Sequence, residues 1–139
     1  MKKALGFVFE AGKRMPWKKG VIVGNFVFLT GCEGRDPETG IEAKGIKAQT
    51  FLALDKVKQR LEEAGTSIEN VVKFTWYLKD RSLVKEFREA REEWFRKNCP
   101  QLLENPDYAT TLVIAGLSKE EMLIEVDVIA YLPDKQNAR

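Results

Sequence analysis

The sequence predicts an α+β domain in which two amphipathic helices pack on one face of a β-sheet. Two stretches of the 139-residue chain place apolar residues three and four positions apart, as a helix requires. Five shorter stretches are rich in β-branched and aromatic residues, as strands are. Their order along the chain is ββαβαββ. Because there is no repeat or linker, we expect residues 1–139 to form a single domain, with a frayed tail at 134–139.

The first two predicted strands, 21–23 and 26–29, form a hairpin. The Gly24-Asn25 pair between them is typical of a two-residue hairpin loop. A turn is predicted at 36–40, because proline and glycine occupy positions there that turns favour.

The two predicted helices span 45–64 and 83–97. Gly65 is a natural stop for the first helix, and Ser82 is expected to cap the N-terminus of the second. The apolar stripes consist of Phe51, Leu54, Val57, Leu61 and Ala64 in the first helix and Leu83, Phe87, Ala90 and Trp94 in the second.

Three further strands are predicted at 70–80, 108–115 and 122–131. Alternate residues of a strand point to opposite faces. The predicted core positions of the first of these strands are Val72, Phe74, Trp76 and Leu78. Two helices can cover only one face of the sheet, so the other face would be half exposed in a monomer. That face is expected to carry Thr75, Tyr77, Val113 and Ile129. Extended, partly apolar surfaces usually mark interfaces, so the sequence predicts an oligomer.

The composition excludes several classes of function. Lysine and arginine number 23 and aspartate and glutamate 21, a balance that argues against nucleic acid or an anionic membrane as a partner. We expect no membrane span and no secretory signal, and Cys32 and Cys99 are expected to be free thiols of a cytoplasmic protein. The chain contains no histidine, which excludes Ser-His-Asp and Cys-His catalysis and histidine-rich metal sites. We therefore expect no metal.

Six short segments, at 24–31, 36–40, 48–50, 61–65, 71–80 and 124–130, are more specific in combination than singly. They include the strings GNFVFLTG, DPETG and IEVDVIA. In order and spacing they resemble the RidA/YjgF family, also called the reactive-intermediate deaminase or perchloric-acid-soluble protein family. The resemblance extends from Pro16 to Ala130.

The resemblance implies a chorismate-mutase-like two-layer fold with a mixed sheet. It also implies a homotrimer in which the sheets form a central barrel and small-molecule clefts lie between subunits. Family enzymes hydrolyse reactive imines and enamines to ketoacids and ammonia without a cofactor. In them an arginine on the strand after the second helix binds the substrate carboxylate, and a glutamate on the last strand helps to position water. Glu125 matches that glutamate.

The chain departs from the family at the position of the arginine. Ala109 stands there, and no shift of one or two residues restores an arginine. A guanidinium holds a carboxylate through two parallel charged hydrogen bonds, which alanine cannot make. Hydrolysis of simple 2-imino acids is therefore expected to be near background. The positions that the resemblance assigns to ligand binding are Trp17, Thr30, Gly31, Arg88, Ala109 and Thr110.

Two arginines of the second helix are candidates for the missing charge. Arg91 falls inside the apolar stripe, and Arg88 lies at its edge. In one interpretation Arg91 pairs with Glu125 or Asp127, which share one face of the last strand, or extends to solvent at a subunit boundary. In the other, Arg88 or Arg91 reaches a cleft and holds an anionic ligand.

One cysteine and three tryptophans invite a chemical role. Cys32 adjoins the predicted pocket, but no histidine is available to activate it, so a small buried thiol is expected. Trp76 and Trp94 lie on apolar faces and are expected in the core. Trp17 follows a proline in a predicted loop and is the tryptophan expected at a ligand.

Three functions remain open. The first is a small-molecule protein that binds an anionic or carbonyl/imine metabolite without standard deaminase activity. The second is an imine or enamine deaminase with a changed substrate, in which Glu125 positions water. The third is an RNA-acting protein, against which the balanced charge and the absence of histidine count.

Overall fold

The structure, a computed structural model, describes residues 1–106 and 108–133. The predicted tail at 134–139 and Asp107, beside the Ala109 position, lie outside the described residues. The strands are β1 (Lys2–Ala4), β2 (Phe7–Glu10), β3 (Lys13–Lys18), β4 (Gly20–Val23), β5 (Phe26–Leu29), β6 (Cys32–Glu33), β7 (Val71–Leu78), β8 (Tyr108–Val113) and β9 (Ile124–Tyr131). The α-helices are α1 (Ile46–Glu63), α2 (Val84–Asn98) and α3 (Gln101–Glu104).

Every one of these strands except β2 and β3 belongs to one mixed sheet, with the order β1-β4-β5-β9-β7-β8 and with β6 also paired to β9. The β7–β8 pair is parallel, and the other pairs are antiparallel. The two long helices pack on one face. The core between the layers includes Leu54, Val57, Phe74, Trp76, Phe87, Trp94 and Val128. The predicted α+β fold, with its order ββαβαββ, is confirmed in β4, β5, α1, β7, α2, β8 and β9.

The predicted hairpin and turn are both present. Val23 lies opposite Phe26 across the two-residue loop, where Gly24 has a φ of 59°. In the turn, the Gly40 N–H donates to the Asp36 carbonyl at 2.8 Å. These two connections carry the chain from the hairpin to the start of α1.

The N-terminal strands were not predicted. β1, β2 and β6 have two to four residues each, and β2 pairs with the six-residue β3 in a separate two-stranded sheet. This small sheet is separate from the main one. Four of the six β3 residues are exposed and three are charged, so no apolar alternation marks this strand. Trp17 therefore lies on a strand, and its placement in a loop was wrong.

The helix periods are confirmed. The buried residues of α2 are Phe87, Ala90, Trp94 and Phe95. The Arg91 guanidinium lies 5.1 Å from the centre of the Phe87 ring on the half-buried flank of this helix, and Arg88 is exposed. Among residues 1–106 and 108–133, no helix is both long and apolar enough to cross a membrane.

The predicted Ser82 cap was wrong. The Asp80 carboxylate accepts a hydrogen bond from the Ser82 N–H at 2.8 Å and begins a short 3₁₀ helix, Arg81–Leu83, ahead of α2. An aspartate two residues before a backbone N–H makes this contact more readily than a serine does.

Two predicted face assignments need correction. A bulge between Val71 and Lys73 places Val71 in the core and leaves Val72 exposed. Val113 pairs with Leu78 on the helix side of the sheet, so the residue on the open face is its neighbour Leu112. A bulge or a one-residue error of phase moves a side chain to the opposite face, because the strand period is two.

Candidate functional site

A cavity of about 290 Å³ lies where β3, the β5–β6 connection and β9 meet. Four of the residues singled out in the sequence line it: Trp17, Thr30, Gly31 and Glu125. The other lining residues are Glu10, Met15, Glu33, Arg35, Ser118 and Lys119. One chain therefore assembles a concave site around Glu125.

Sheet register places the Glu125 carboxyl against the backbone of Gly31. β6 pairs with β9 so that Glu33 lies opposite Glu125, and Gly31 is the residue just before β6. A Cβ added at Gly31 would lie 2.1 Å from Glu125 Oε2. A contact of that length is not possible, so a side chain at residue 31 would push the carboxyl out of its position.

The environment of Glu125 favours its protonated form. Burial raises the pKa of this carboxyl above the ordinary value of 4.5, the negative charges of Glu33 and Asp127 raise it further, and Arg35 opposes the rise. Glu125 therefore holds its proton to a higher pH than an exposed glutamate does. A carboxyl with a raised pKa is better suited to give up and regain a proton during a reaction than an exposed one.

Arg35 is a site residue that the sequence did not reveal. Its Nε donates to Glu42 Oε1 at 2.9 Å, its Nη1 donates to Glu10, and its Nη2 lies 3.7 Å from Met122 Sδ. Each guanidinium nitrogen thus has a protein acceptor, and no open fork remains for a ligand carboxylate. The partners are far away in sequence, so no local pattern could have predicted this cluster.

Three carboxylates and two cations line the cavity. Glu10, Glu33 and Glu125 line it, against Arg35 and Lys119. Glu10 pairs with Arg35 and Glu33 pairs with Lys56, and because Glu42 also engages Arg35, the cavity offers no free guanidinium to an anionic ligand.

Thr30 and Trp17 also line the Glu125 cavity. The Thr30 hydroxyl donates to the Lys18 carbonyl, and the Thr30 N–H donates to the Lys19 carbonyl at 2.9 Å. These bonds fix residue 30 to the end of β3. Trp17, on the same strand, is 44% exposed and gives the cavity an aromatic surface that a ligand can cover.

The three other predicted ligand residues do not line this cavity. Arg88 is exposed on α2. Ala109 lies opposite Phe74 in the row of β8 that faces the helices. Thr110 lies on the open face, and its hydroxyl accepts a hydrogen bond from Lys73 Nζ at 2.8 Å. The fold of one chain therefore separates the predicted residues into two groups.

Neither cysteine is a candidate nucleophile. Burial raises the pKa of the Cys32 thiol to about 11, and burial also raises the pKa of Cys99. Both are free and buried, as expected for Cys32. In the part of the chain that the structure describes, no group of three or more histidine, cysteine, aspartate or glutamate side chains could hold a metal ion.

Comparison with known proteins gives consistent results. The model of the endoribonuclease L-PSP family matches residues 10–132. A RutC family protein of Pyrococcus abyssi is 38% identical over 133 residues, which cover 94% of this chain and 98% of the relative. The 2-iminobutanoate/2-iminopropanoate deaminase of Salmonella typhimurium is 28% identical over 116 residues, or 83% of this chain and 86% of that enzyme. The crystal structure of RidA from the Antarctic bacterium Psychrobacter sp. has a TM-score of 0.78 at 28% identity and covers 94% of this chain and 99% of its own.

Proposed function

Because this chain belongs to the RidA/YjgF family of the endoribonuclease L-PSP class, we propose that its Glu125 cavity binds a small imine or enamine and hydrolyses it to a carbonyl compound and ammonia. The observation that carries the proposal is the Glu125 carboxyl, which is held against Gly31 in a concave site and has a raised pKa. Relatives named 2-iminobutanoate/2-iminopropanoate deaminase support the reaction class.

The proposed reaction adds water across a C=N bond and then expels ammonia. Protonated Glu125 donates its proton to the imine nitrogen, which makes the carbon electrophilic. The resulting carboxylate orients a water molecule and accepts a proton from it as the oxygen bonds to that carbon. Glu125 returns that proton to the nitrogen of the carbinolamine, the C–N bond then breaks to release ammonia, and the hydroxyl proton passes to Glu125 as the carbonyl forms. The raised pKa suits Glu125 to both directions of proton transfer.

The substrate class follows from the charges of the site. Ala109 replaces the arginine that binds a carboxylate in the family, and Arg35 is engaged by Glu10 and Glu42. We therefore expect a neutral or cationic imine that lacks a carboxylate next to the reacting carbon. Simple 2-imino acids should react near background.

Binding without hydrolysis is the second candidate function. Ala109 favours it, because loss of one buried charge-assisted contact weakens transition-state binding by about 2–5 kcal/mol. In this case the cavity still binds a carbonyl or imine compound, and Glu125 contributes a hydrogen bond only.

Assembly as a trimer is part of the proposal. The face of the sheet away from the helices carries exposed aromatic and aliphatic side chains, including Phe26, Phe28 and Leu112. Packing three such faces together would cover these side chains. The two unpaired cysteines support a reducing, cytoplasmic location.

The test compares two kinds of imine. An amine oxidase generates imines without a carboxylate, an amino-acid oxidase generates 2-imino acids, and semicarbazide traps whatever has not been hydrolysed. We expect the protein to accelerate hydrolysis of the first kind only. Glu125→Gln and Gly31→Ala should each abolish the acceleration, the second because its new methyl group displaces the carboxyl. Glu86→Gln, an exposed carboxylate on α2, is the matched control and should behave like the parent.

The outcomes separate the alternatives. Saturable binding of the corresponding ketone without acceleration of either imine would support the binding function and exclude hydrolysis. Acceleration of 2-imino acids comparable to that of an arginine-bearing relative would contradict the role given to Ala109.

A further inference from the structure

A second cavity, of about 240 Å³, lies between the N-terminal hairpin, formed by β2 and β3, and the last turns of α1. It shares no lining residue with the Glu125 cavity. One wall is apolar and is formed by Val8, Phe9 and Pro37. The other wall is a face of α1 in which polar residues recur at helical spacing: Lys56, Gln59, Arg60 and Glu63.

Arg60 is the unusual group in this cavity. Its side chain is buried, with 8% of the residue exposed, although no carboxylate of the described residues lies within ion-pair distance of it. Its only side-chain hydrogen bond among residues 1–106 and 108–133 runs from Nη1 to Cys32 Sγ at 3.3 Å. A thiol sulfur is a weak acceptor, and burial keeps this thiol neutral, so the bond does not balance the guanidinium charge.

The remaining nitrogens of Arg60 face the cavity. Nε and Nη2 have no acceptor in the described part of the chain, and neither is among the buried polar atoms that lack a hydrogen-bond partner. Both atoms must therefore be open to solvent, and the open space beside Arg60 is the cavity that it lines. A guanidinium presents these N–H groups in a fixed planar fork that matches an oxyanion.

The neighbouring charges leave a positive surplus. Lys19 pairs with Glu63 at 3.0 Å, and Lys56 pairs with Glu33 at 2.9 Å. Each lysine is thus balanced by one carboxylate, and Arg60 remains as the uncompensated cation. The partial negative charge at the C-terminal end of α1 stabilises Arg60 somewhat, but it supplies no acceptor for the open N–H groups.

We infer that this cavity is a binding site for a small oxyanion, either a phosphate or a carboxylate group, held by the Arg60 fork with Lys19 and Lys56 alongside. The apolar wall would accept a short hydrocarbon substituent on such a ligand. The inference does not depend on the proposed hydrolysis, because the two cavities are lined by different residues.

Sodium phosphate and sodium propionate are the probes. Each is titrated into the full-length protein by calorimetry, and thermal unfolding is followed in parallel, with sodium chloride at equal ionic strength as the reference. We expect saturable binding of one anion per chain and a rise in Tm beyond that in chloride. Stronger binding of phosphate would assign the site to phosphorylated compounds, and stronger binding of propionate would assign it to carboxylic acids.

Arg60→Leu is the decisive variant. It should weaken anion binding about tenfold or more and, because it removes a buried uncompensated charge, raise Tm in chloride. Arg60→Lys keeps the charge without the fork and should weaken binding less, which gives a second test if the leucine variant does not fold. Lys58→Gln removes one half-exposed cation of the same helix, which does not line the cavity, and should bind like the parent. Absence of saturable binding in the parent, or unchanged affinity in both Arg60 variants, would overturn the inference.

Discussion

Glu125 is the residue on which the proposed chemistry depends, and its ionised form is disfavoured by the fold that holds it. The carboxyl is partly buried, with Glu33 opposite it in the sheet and Asp127 two residues along the same face. Both neighbours repel its negative charge. A site of this kind destabilises the folded protein when Glu125 is ionised, and it provides a carboxyl with a raised pKa.

The repulsion of the ionised Glu125 carboxylate by its neighbours predicts the effect of Glu125→Gln on stability. A raised pKa in the folded state means that the favourable contribution of Glu125 is complete below its ordinary value of 4.5 and is lost as the pH rises through the raised value. Glutamine resembles the protonated form at every pH. The variant should therefore melt at a higher temperature than the parent at about pH 7.5 and at a similar temperature at about pH 4.

Thermal unfolding across this pH range checks the prediction. Asp127→Asn is a useful comparison, since it removes one of the repelling charges and should move the same transition to lower pH without abolishing it. A Glu125→Gln variant that is less stable than the parent at neutral pH would show that the carboxylate is stabilised by the fold.

Single residues were predictable where they belong to a recognisable segment. Glu125, Thr30 and Gly31 lie in such segments, and the fold brings them to one cavity. Arg35 and Arg60 carried no signal in the sequence. The partners of Arg35 are distant from it in sequence. An arginine in an amphipathic helix normally lies on the solvated face, whereas Arg60 is buried.

At the scale of elements, Arg35 links the N-terminal hairpin to the rest of the chain. Glu10 ends β2, Glu42 precedes α1, and both carboxylates converge on the buried guanidinium. The hydrogen bonds from Arg35 to these two carboxylates hold the hairpin beside Glu125, and Trp17 is part of that hairpin. Charge pairing by Arg35 thus contributes to positioning this wall of the cavity.

Arg35→Met should destabilise the protein strongly. Glu10 and Glu42 would face one another with little exposure and no counter-charge, a situation that costs about 3–5 kcal/mol. Denaturant unfolding at a fixed protein concentration measures the loss. The triple variant Arg35→Met, Glu10→Gln, Glu42→Gln should regain most of it, because no charge is then left buried.

An exposed ion pair supplies the control. Arg96 pairs with Glu92 on the surface of α2, and such pairs contribute little, so Arg96→Met should change the unfolding midpoint only slightly. If Arg35→Met unfolds at the same denaturant concentration as Arg96→Met, the hairpin is not held by this cluster.

Element prediction succeeded where hydrophobic periodicity is strong. Both long helices and the strands β4, β5, β7 and β9 have clean apolar periods, because one face of each is buried in a common core. The β2–β3 hairpin has no such period, since it is attached by an ion cluster and is largely exposed. The bulge in β7 left no mark in the sequence, so the predicted alternation placed Val72 in the core.

At the scale of the whole molecule, one face of the main sheet is covered by helices and the other face is not. The helix side is closed by α1 and α2, whereas the open side of β4, β5, β7, β8 and β9 has no covering layer among the described residues. Its apolar members are Val21, Val23, Phe26, Phe28, Leu112, Ile129 and Tyr131. The sequence predicted this uncovered face, although the assignment of Val113 to it was wrong.

The last prediction concerns this open face. Phe28 is 41% exposed, and it lies opposite both Val21 and Ile129, so it occupies the middle of the apolar surface. In a trimer it would be desolvated, and Phe28→Glu would bury a charge without a partner. Light scattering should therefore give a mass of three 15.9 kDa chains for the parent and of one chain for the variant. Leu103, 38% exposed on α3, is the control, and Leu103→Glu should remain trimeric. A parent protein that is monomeric at micromolar concentration would exclude clefts shared between subunits, and a Phe28→Glu variant that stays trimeric would place the interface elsewhere.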